Sequence, residues 1–290
     1  MAWNVVGRTA LVTGATGSIG QEIALALARQ GARVVMVGRD QARTDAAAAD
    51  VAARSGSQVV WPLVCDLASP ADVRRFAAAF LARFDRCEIL VNNAACLHSS
   101  RTLTPDGVEA TIAVNHLGGF LLTALLRDRI VQSAPARIVT VASIGHRRGT
   151  LDFDDLQFRR GYTFLKAYGR SKLANVLFAS ELARQLQGTG VTSNSIHPGA
   201  VKSRLQAAAP LWAQPFIWLW LWPRFIGAEQ AAAHVVKLVV DPALSGVTGR
   251  YFEEDRMVRP SPLACDEQLA ARLWDVSASM VGLPARPNAL

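Results

Sequence analysis

Six short apolar runs, each followed by a longer segment of helical periodicity, constrain this chain more than any other feature. They span 9–13, 31–37, 58–64, 89–91, 137–142 and 191–196. Runs of this length that are rich in Val, Ile and Leu read as strands buried on both faces, and such strands alternate with helices in parallel sheets. A seventh strand is expected at 248–252. The helical segments are expected at 21–30, from about 41 to 54, 70–84, 104–133, 167–186, 228–240 and 266–281. Ser69 and Pro70 open the third of these as cap and first helical residue. The expected fold is therefore α/β: a doubly wound parallel sheet of about seven strands, helices on both faces, right-handed connections and a single domain over 1–290.

Where the first run ends, the chain reads Gly14, Ala15, Thr16, Gly17, Ser18, Ile19, Gly20, and a helix follows. Strand, glycine turn and helix form the context in which such a motif cradles a pyrophosphate in a Rossmann-like sheet. Missing side chains let the backbone approach, and the helix start offers free N–H groups. An ordinary tight loop is the alternative. The second run ends in Gly38, Arg39, Asp40. A guanidinium matches a 2′-phosphate in geometry and permanent charge, so Arg39 favours NADP(H), with NAD(H) the less favoured cofactor. Asp40 reads either as a ligand for the ribose diol or as the cap of the helix that follows.

Notable residues recur where the other strands end: Asp66 after the third, Asn92 after the fourth, Ser143 after the fifth and Pro198 after the sixth. Ends of this kind share one edge of a parallel sheet, where ligands bind. Tyr168 and Lys172 are four residues apart in the helical run 167–186, so phenol and ammonium lie on one face. A cation so placed is expected to lower the phenol's pKa and tune it for proton transfer. Asn115, an amide within apolar Val114, Leu117, Phe120 and Leu121, needs hydrogen-bond partners, and alone it reads as a satisfied core amide.

The net charge is 31 − 23 = +8. These basic residues are scattered and lack an aromatic platform, which argues against a nucleic-acid partner. Four cysteines without CxxC spacing or a nearby histidine argue against a metal and fit reduced thiols in the cytoplasm;. No charged region followed by an apolar signal core opens the chain. The run 144–164 reads as a surface excursion. Residues 211–225, LWAQPFIWLWLWPRF, are the most apolar stretch. Pro215 and Pro223 interrupt it, and it falls short of the ~20 apolar residues that span a bilayer;. A lid over a hydrophobic substrate (a subdomain over about 203–226), a peripheral membrane contact and a subunit contact are the three readings of it.

Taken together, TGATGSIG (13–20), CDL (65–67), NNAA (92–95), VNHLGGFLLT (114–123), RIVTVAS (137–143), LDFDDLQ (151–157), YGRSKLANVLFASELARQL (168–186) and HPGAVKS (197–203) resemble the short-chain dehydrogenase/reductases, most closely their retinol-dehydrogenase-like branch. SGVTGRYF (245–252) and ARLWDVS (271–277) extend the resemblance almost to the end. It implies a catalytic set of Asn115, Ser143, Tyr168 and Lys172. Tyr168 would exchange a proton with the substrate oxygen. Lys172 would lower its pKa and hold the nicotinamide ribose, Ser143 would hold the carbonyl oxygen and Asn115 would position a relay water. The cofactor would contact Gly14, Thr16, Gly17, Ser18, Ile19, Gly20, Arg39, Asp66, Leu67, Asn92, Ala94, Lys172, Pro198, Gly199, Val201 and Ser203. A small hydrophobic substrate and a homo-oligomer are implied as partners. Three positions depart from the pattern: Gly17–Ser18 gives TGxxGxxG in place of TGxxxGxG, Ala95 replaces a glycine, and Gly119 replaces the branch's second histidine.

Overall fold

A computed structural model describes residues 3–201 and 225–284, and their strands assemble mainly into one sheet. The strands are β1 Thr9–Thr13, β2 Arg33–Gly38, β3 Val60–Val64, β4 Ile89–Asn92, β5 Ala136–Val141, β6 Val191–His197, β7 Ala200–Val201, β8 Phe225–Ile226, β9 Tyr251–Glu253 and β10 Arg256–Val258. Eight of them form the sheet in the order β10-β9-β6-β5-β4-β1-β2-β3, while β7 and β8 pair separately. All neighbours are parallel except β9 and β10, which form an antiparallel hairpin. The expected count of about seven is thus corrected to eight in the main sheet. The extra strand, Arg-Met-Val, is only three residues long and largely exposed, so it leaves no apolar run to read.

The helices are α1 Ser18–Arg29, α2 Gln41–Ser55, α3 Pro70–Arg83, α4 Ala110–Gln132, α5 Phe164–Gln185, α6 Ala228–Val240 and α7 Glu267–Met280. Two apolar layers sandwich the sheet. One joins α1, α2 and α6 through Ile23, Leu27, Val51 and Val235; the other joins α3, α4, α5 and α7 through Phe80, Phe120, Phe178 and Trp274. Phe120 meets Trp274 edge-on with centroids 4.8 Å apart, in the range aromatic pairs prefer;. Helix α4 has the length and hydropathy to cross a membrane, yet 72% of its apolar window is buried here, as befits a core helix.

The chain reverses its direction of sheet growth between β1 and β4, where Val12 pairs with Val91. Connections leave this point in opposite directions and open a crevice at the strand C-termini. Side chains cap most helices: Asp40 accepts from Arg43 N at 2.8 Å, Ser69 from Asp72 N at 3.3 Å and Thr163 from Lys166 N at 3.3 Å;. Of the two readings of Asp40, its place in the fold is that of the cap.

The expected excursion over 144–164 is only partly a surface feature. Its first residues, Ile144–Arg148, form a 3-10 turn against α5, with His146 wholly buried, and Leu156 and Phe158 are buried further along. Polarity in Arg147, Arg148, Asp152 and Asp154 masked these anchors.

Candidate active site

At the crevice, Gly14 ends β1 with a φ of +64°, and a Cβ there would stand 2.7 Å from Ala94 Cα. Only glycine fits such an approach without displacing backbone. Thr13 fixes the opposite wall: its Oγ1 accepts from the N–H groups of Asn93 at 2.9 Å and Ala94 at 3.1 Å. The Asn93 amide in turn donates to Thr13 O at 2.9 Å. The Asn doublet at this strand end marks the wall in the sequence, but the locking roles of the Thr13 and Asn93 side chains come from contacts about 80 residues apart.

Gly17 begins α1 without a side-chain cap, and the helix has no acidic residue in its first turn. Among the described α-helices it alone lacks both. Gly17 and Ser18 are exposed, Thr16 and Ile19 are half-buried, and Gly20 is buried, where a Cβ would strike Gly14 O at 2.3 Å. Exposed N–H groups at a dipole's positive end, beside closely packed glycines, suit a pyrophosphate. Arg39 follows β2 as an exposed guanidinium. Asp66 accepts from Ala68 N at 3.0 Å after β3, and Leu67 packs so tightly on α4 that a Cβ at Gly118 would meet Leu67 O at 2.3 Å. Asn92 donates to Thr123 Oγ1 at 3.0 Å; its Oδ1 is buried without a partner, opposite the space left by Gly119.

Helix α4 opens into a π-helical turn at Ala113–Leu117, centred on Asn115. The Asn115 amide clasps the main chain of Cys96, accepting from its N–H at 2.7 Å and donating to its carbonyl at 3.0 Å, and donates also to Ser171 Oγ at 3.0 Å. The π-turn re-aims this side chain out of the helix ladder and toward the end of β4. Its expected need for partners is met in full.

Ser143 follows β5, and its hydroxyl stands beside the ring of Tyr168 on α5, close enough to favour the phenolate. Gly145 lies beneath the phenol, where a Cβ would come within 3.3 Å of the ring. Lys172, 1% exposed, donates from Nζ to Val141 O at 3.0 Å and stands 5.6 Å from the centroid of the Tyr168 ring. Asn175, one turn on, shares that carbonyl at 3.2 Å.

The expected downward shift of the Tyr168 pKa is not found in this state. Burial pushes the phenol up, with only the Ser143 hydroxyl opposing it, and burial also pushes the Lys172 ammonium down to about 8. The reason is burial, which disfavours the charged form of both groups and is the largest cause of each shift;.

Past β6, His234 Nδ1 lies 2.9 Å from Pro198 O, and Gly199 takes a φ of +104° with Ile226 where a Cβ would be. Val201 is buried in β7. Ser203 and nearly all of the expected lid over 203–226 lie outside the described residues. A separate groove of about 780 Å³, lined by Trp3, Val6, Ala26, Val236 and Lys237, contains none of these groups.

The model of the short chain dehydrogenase family matches residues 8–214. The chain belongs to that family. Within it, this short-chain dehydrogenase is retinol-dehydrogenase-like. It is 41% identical to retinol dehydrogenase 13 of Homo sapiens, over 97% of this chain and 86% of the relative. With dehydrogenase/reductase SDR family member 13 of Bos taurus the identity is 44%, over 96% and 74% of the two chains. Among solved structures, an uncharacterised protein from Mycobacterium paratuberculosis superposes with a TM-score of 0.77 at 30% identity, covering 99% and 100% of the chains. The RhlG/NADP active-site complex of Pseudomonas aeruginosa does so with 0.70 at 27%, covering 92% and 98%. Family and relatives make this short-chain dehydrogenase an oxidoreductase of alcohol or carbonyl groups with a nicotinamide cofactor.

Proposed function

We propose that this short-chain dehydrogenase moves hydride between NADP(H) and the carbonyl or alcohol carbon of a bulky hydrophobic substrate, with Tyr168 as proton donor or acceptor. The observation that carries the reading is the placement of the Ser143 hydroxyl beside the Tyr168 ring, with buried Lys172 5.6 Å from the ring centroid. When bound, the nicotinamide supplies or takes the hydride. The protein's own groups do the rest. Ser143 holds the substrate oxygen, Tyr168 protonates or deprotonates it, and Lys172 contributes positive charge and a contact to the nicotinamide ribose. Asn115 sustains the relay of protons behind Tyr168.

The start of α1, with Gly14, Thr16, Gly17, Ser18, Ile19 and Gly20, takes the pyrophosphate. Asp66 and Leu67 meet adenine, while Asn92, Ala94, Pro198, Gly199, Val201 and Ser203 border the nicotinamide half. Arg39 takes a 2′-phosphate, and NADP in the RhlG complex is the precedent;. Exposed Ile144 and Leu165, beside Ser143 and three residues before Tyr168, support an apolar substrate. Relatives named for retinol supply a parallel. The reading extends to a cytoplasmic homo-oligomer in which 211–225 is lid, peripheral membrane contact or subunit contact.

Absorbance of the reduced nicotinamide, followed over a panel of hydrophobic ketones, aldehydes and alcohols, tests this. Consumption of NADPH with matching product is expected. Binding of NADPH without consumption across the whole panel would indicate a cofactor-sensing protein instead, and substrate conversion with unchanged absorbance would indicate a non-redox reaction.

A further inference from the structure

We infer that His146 is a positioning residue for Ser143, holding the serine's main chain through a single neutral tautomer and tying it to the C-terminal strands. The inference rests on the catalytic reading of Ser143 given above. His146 is wholly buried three residues past the serine. Its Nε2 lies 3.1 Å from the main-chain nitrogen of Ser261, and its Nδ1 lies 2.8 Å from the carbonyl oxygen of Ser143. A backbone N–H can only donate, so Nε2 must be the bare acceptor. The ring proton therefore sits on Nδ1 and is donated to Ser143 O. Rotating the ring by half a turn would leave both partners facing carbon, so the orientation is determined as well.

Ser143 O also accepts from His146 N at 3.0 Å, which occupies both lone pairs of that carbonyl;. Ser143 Oγ accepts from Gly145 N at 3.1 Å. These bonds fix the serine peptide plane and, through it, the direction of Cβ. One proton and one lone pair remain on the hydroxyl, which lies with the Tyr168 ring on one side of Gly145;.

The far side of the imidazole is anchored in the hairpin that ends the sheet. Tyr251 of β9 meets the ring edge-on with centroids 4.7 Å apart. The neighbouring Arg147 bonds Glu253 at 2.8 Å and reaches Arg259 O at 3.4 Å. Burial holds the His146 pKa below the ordinary histidine value, as a ring that must stay neutral to accept from Ser261 requires;. Residues 251–261, far from Ser143 in sequence, thus back the serine.

Two amide substitutions separate the two nitrogens. His146→Asn places an amide donor where Nδ1 was and keeps the bond to Ser143 O. His146→Gln reaches instead to the Nε2 position and keeps only the bond from Ser261. With a substrate the native enzyme turns over, kcat of H146N is expected within about threefold of native, and that of H146Q is expected to fall about tenfold or more with the NADPH Kd unchanged. Independently, two-bond ¹H–¹⁵N spectra of histidine-labelled protein without cofactor should show His146 as the Nδ1–H tautomer, its signals assigned by their loss in H146N. An Nε2–H tautomer or a charged ring at neutral pH would overturn the inference. So would equal losses of kcat in the two variants that track their loss of thermal stability, which would mark a packing role only. A native protein without turnover would count against the reaction and not against this link, which the spectra then decide.

Discussion

The amide of Asn115 donates to Ser171 Oγ at 3.0 Å, and Ser171 Oγ donates at 2.8 Å to the carbonyl of Tyr168. A π-turn in one helix is thereby joined to the second turn of the helix that carries the proposed acid;. The same amide also holds the Cys96 main chain, so Asn115 serves two tasks and Ser171 only one. Asn115→Ala leaves the Cys96 N–H and carbonyl without partners and is expected to lower stability by about 2–3 kcal/mol, as well as reducing turnover. Ser171→Ala removes only the link to Tyr168 and is expected to reduce kcat a few-fold at nearly native stability. Urea titration beside steady-state kinetics distinguishes the two; equal stability losses would contradict the division of tasks.

Cofactor choice is carried by Arg39. Arg39→Ala should weaken NADPH by about tenfold or more while changing NADH little, since only the former offers a 2′-phosphate. Asp40→Ala should lower stability by about 1 kcal/mol, through loss of the α2 cap, with the preference for NADPH retained;. Fluorescence titration of both cofactors checks this, and equal losses for NADPH and NADH in R39A would refute the phosphate contact.

The glycine turn makes a steric prediction. Gly14→Ala forces a Cβ to within 2.7 Å of Ala94 Cα at a φ of +64°, so it should cost about 1–3 kcal/mol and abolish tight NADPH binding;. Gly56→Ala, also at positive φ but with nothing within 4 Å, should cost stability and leave binding intact. A thermal melt with and without NADPH separates them.

His116 predicts acid sensitivity. Buried in the π-turn with Nε2 2.8 Å from Ser277 Oγ, it has its pKa lowered by burial to about 4 against an ordinary 6.5. The folded state keeps the ring neutral while the unfolded chain binds a proton, so stability falls as pH drops below 6.5 and levels off below about 4;. Between neutral pH and pH ~5 this one group should remove roughly 2 kcal/mol. Unfolding at both pH values should show a shallower decline in His116→Gln; an identical slope would contradict the assignment.

Much of this was legible from residues alone, and the exceptions have physical causes. Strand β1 was read at its exact bounds, because Thr9–Thr13 is apolar, β-branched and followed by glycine. Arg256–Val258 was missed because an edge strand exposed to water needs no apolar pattern;. The helix around Asn115 is visible, but its π-turn is not: backbone bonding of that kind leaves no composition signal, and the Cys96 main chain that Asn115 clasps stands nineteen residues earlier in the chain. Tyr168 and Lys172 were brought together by a spacing of four. Their ionisation was misjudged because spacing says nothing of burial, and burial acts on both groups. His146 drew no notice, since its partner Ser261 is 115 residues away.

The central claim is that Tyr168 passes the proton. Its most direct test is steady-state turnover of Tyr168→Phe with NADPH and the best hydrophobic carbonyl substrate, alongside the Kd for NADPH. The account predicts a loss in kcat of ~10² or more with cofactor affinity near native, because only the phenolic proton has been removed. Turnover equal to that of the native enzyme would contradict it.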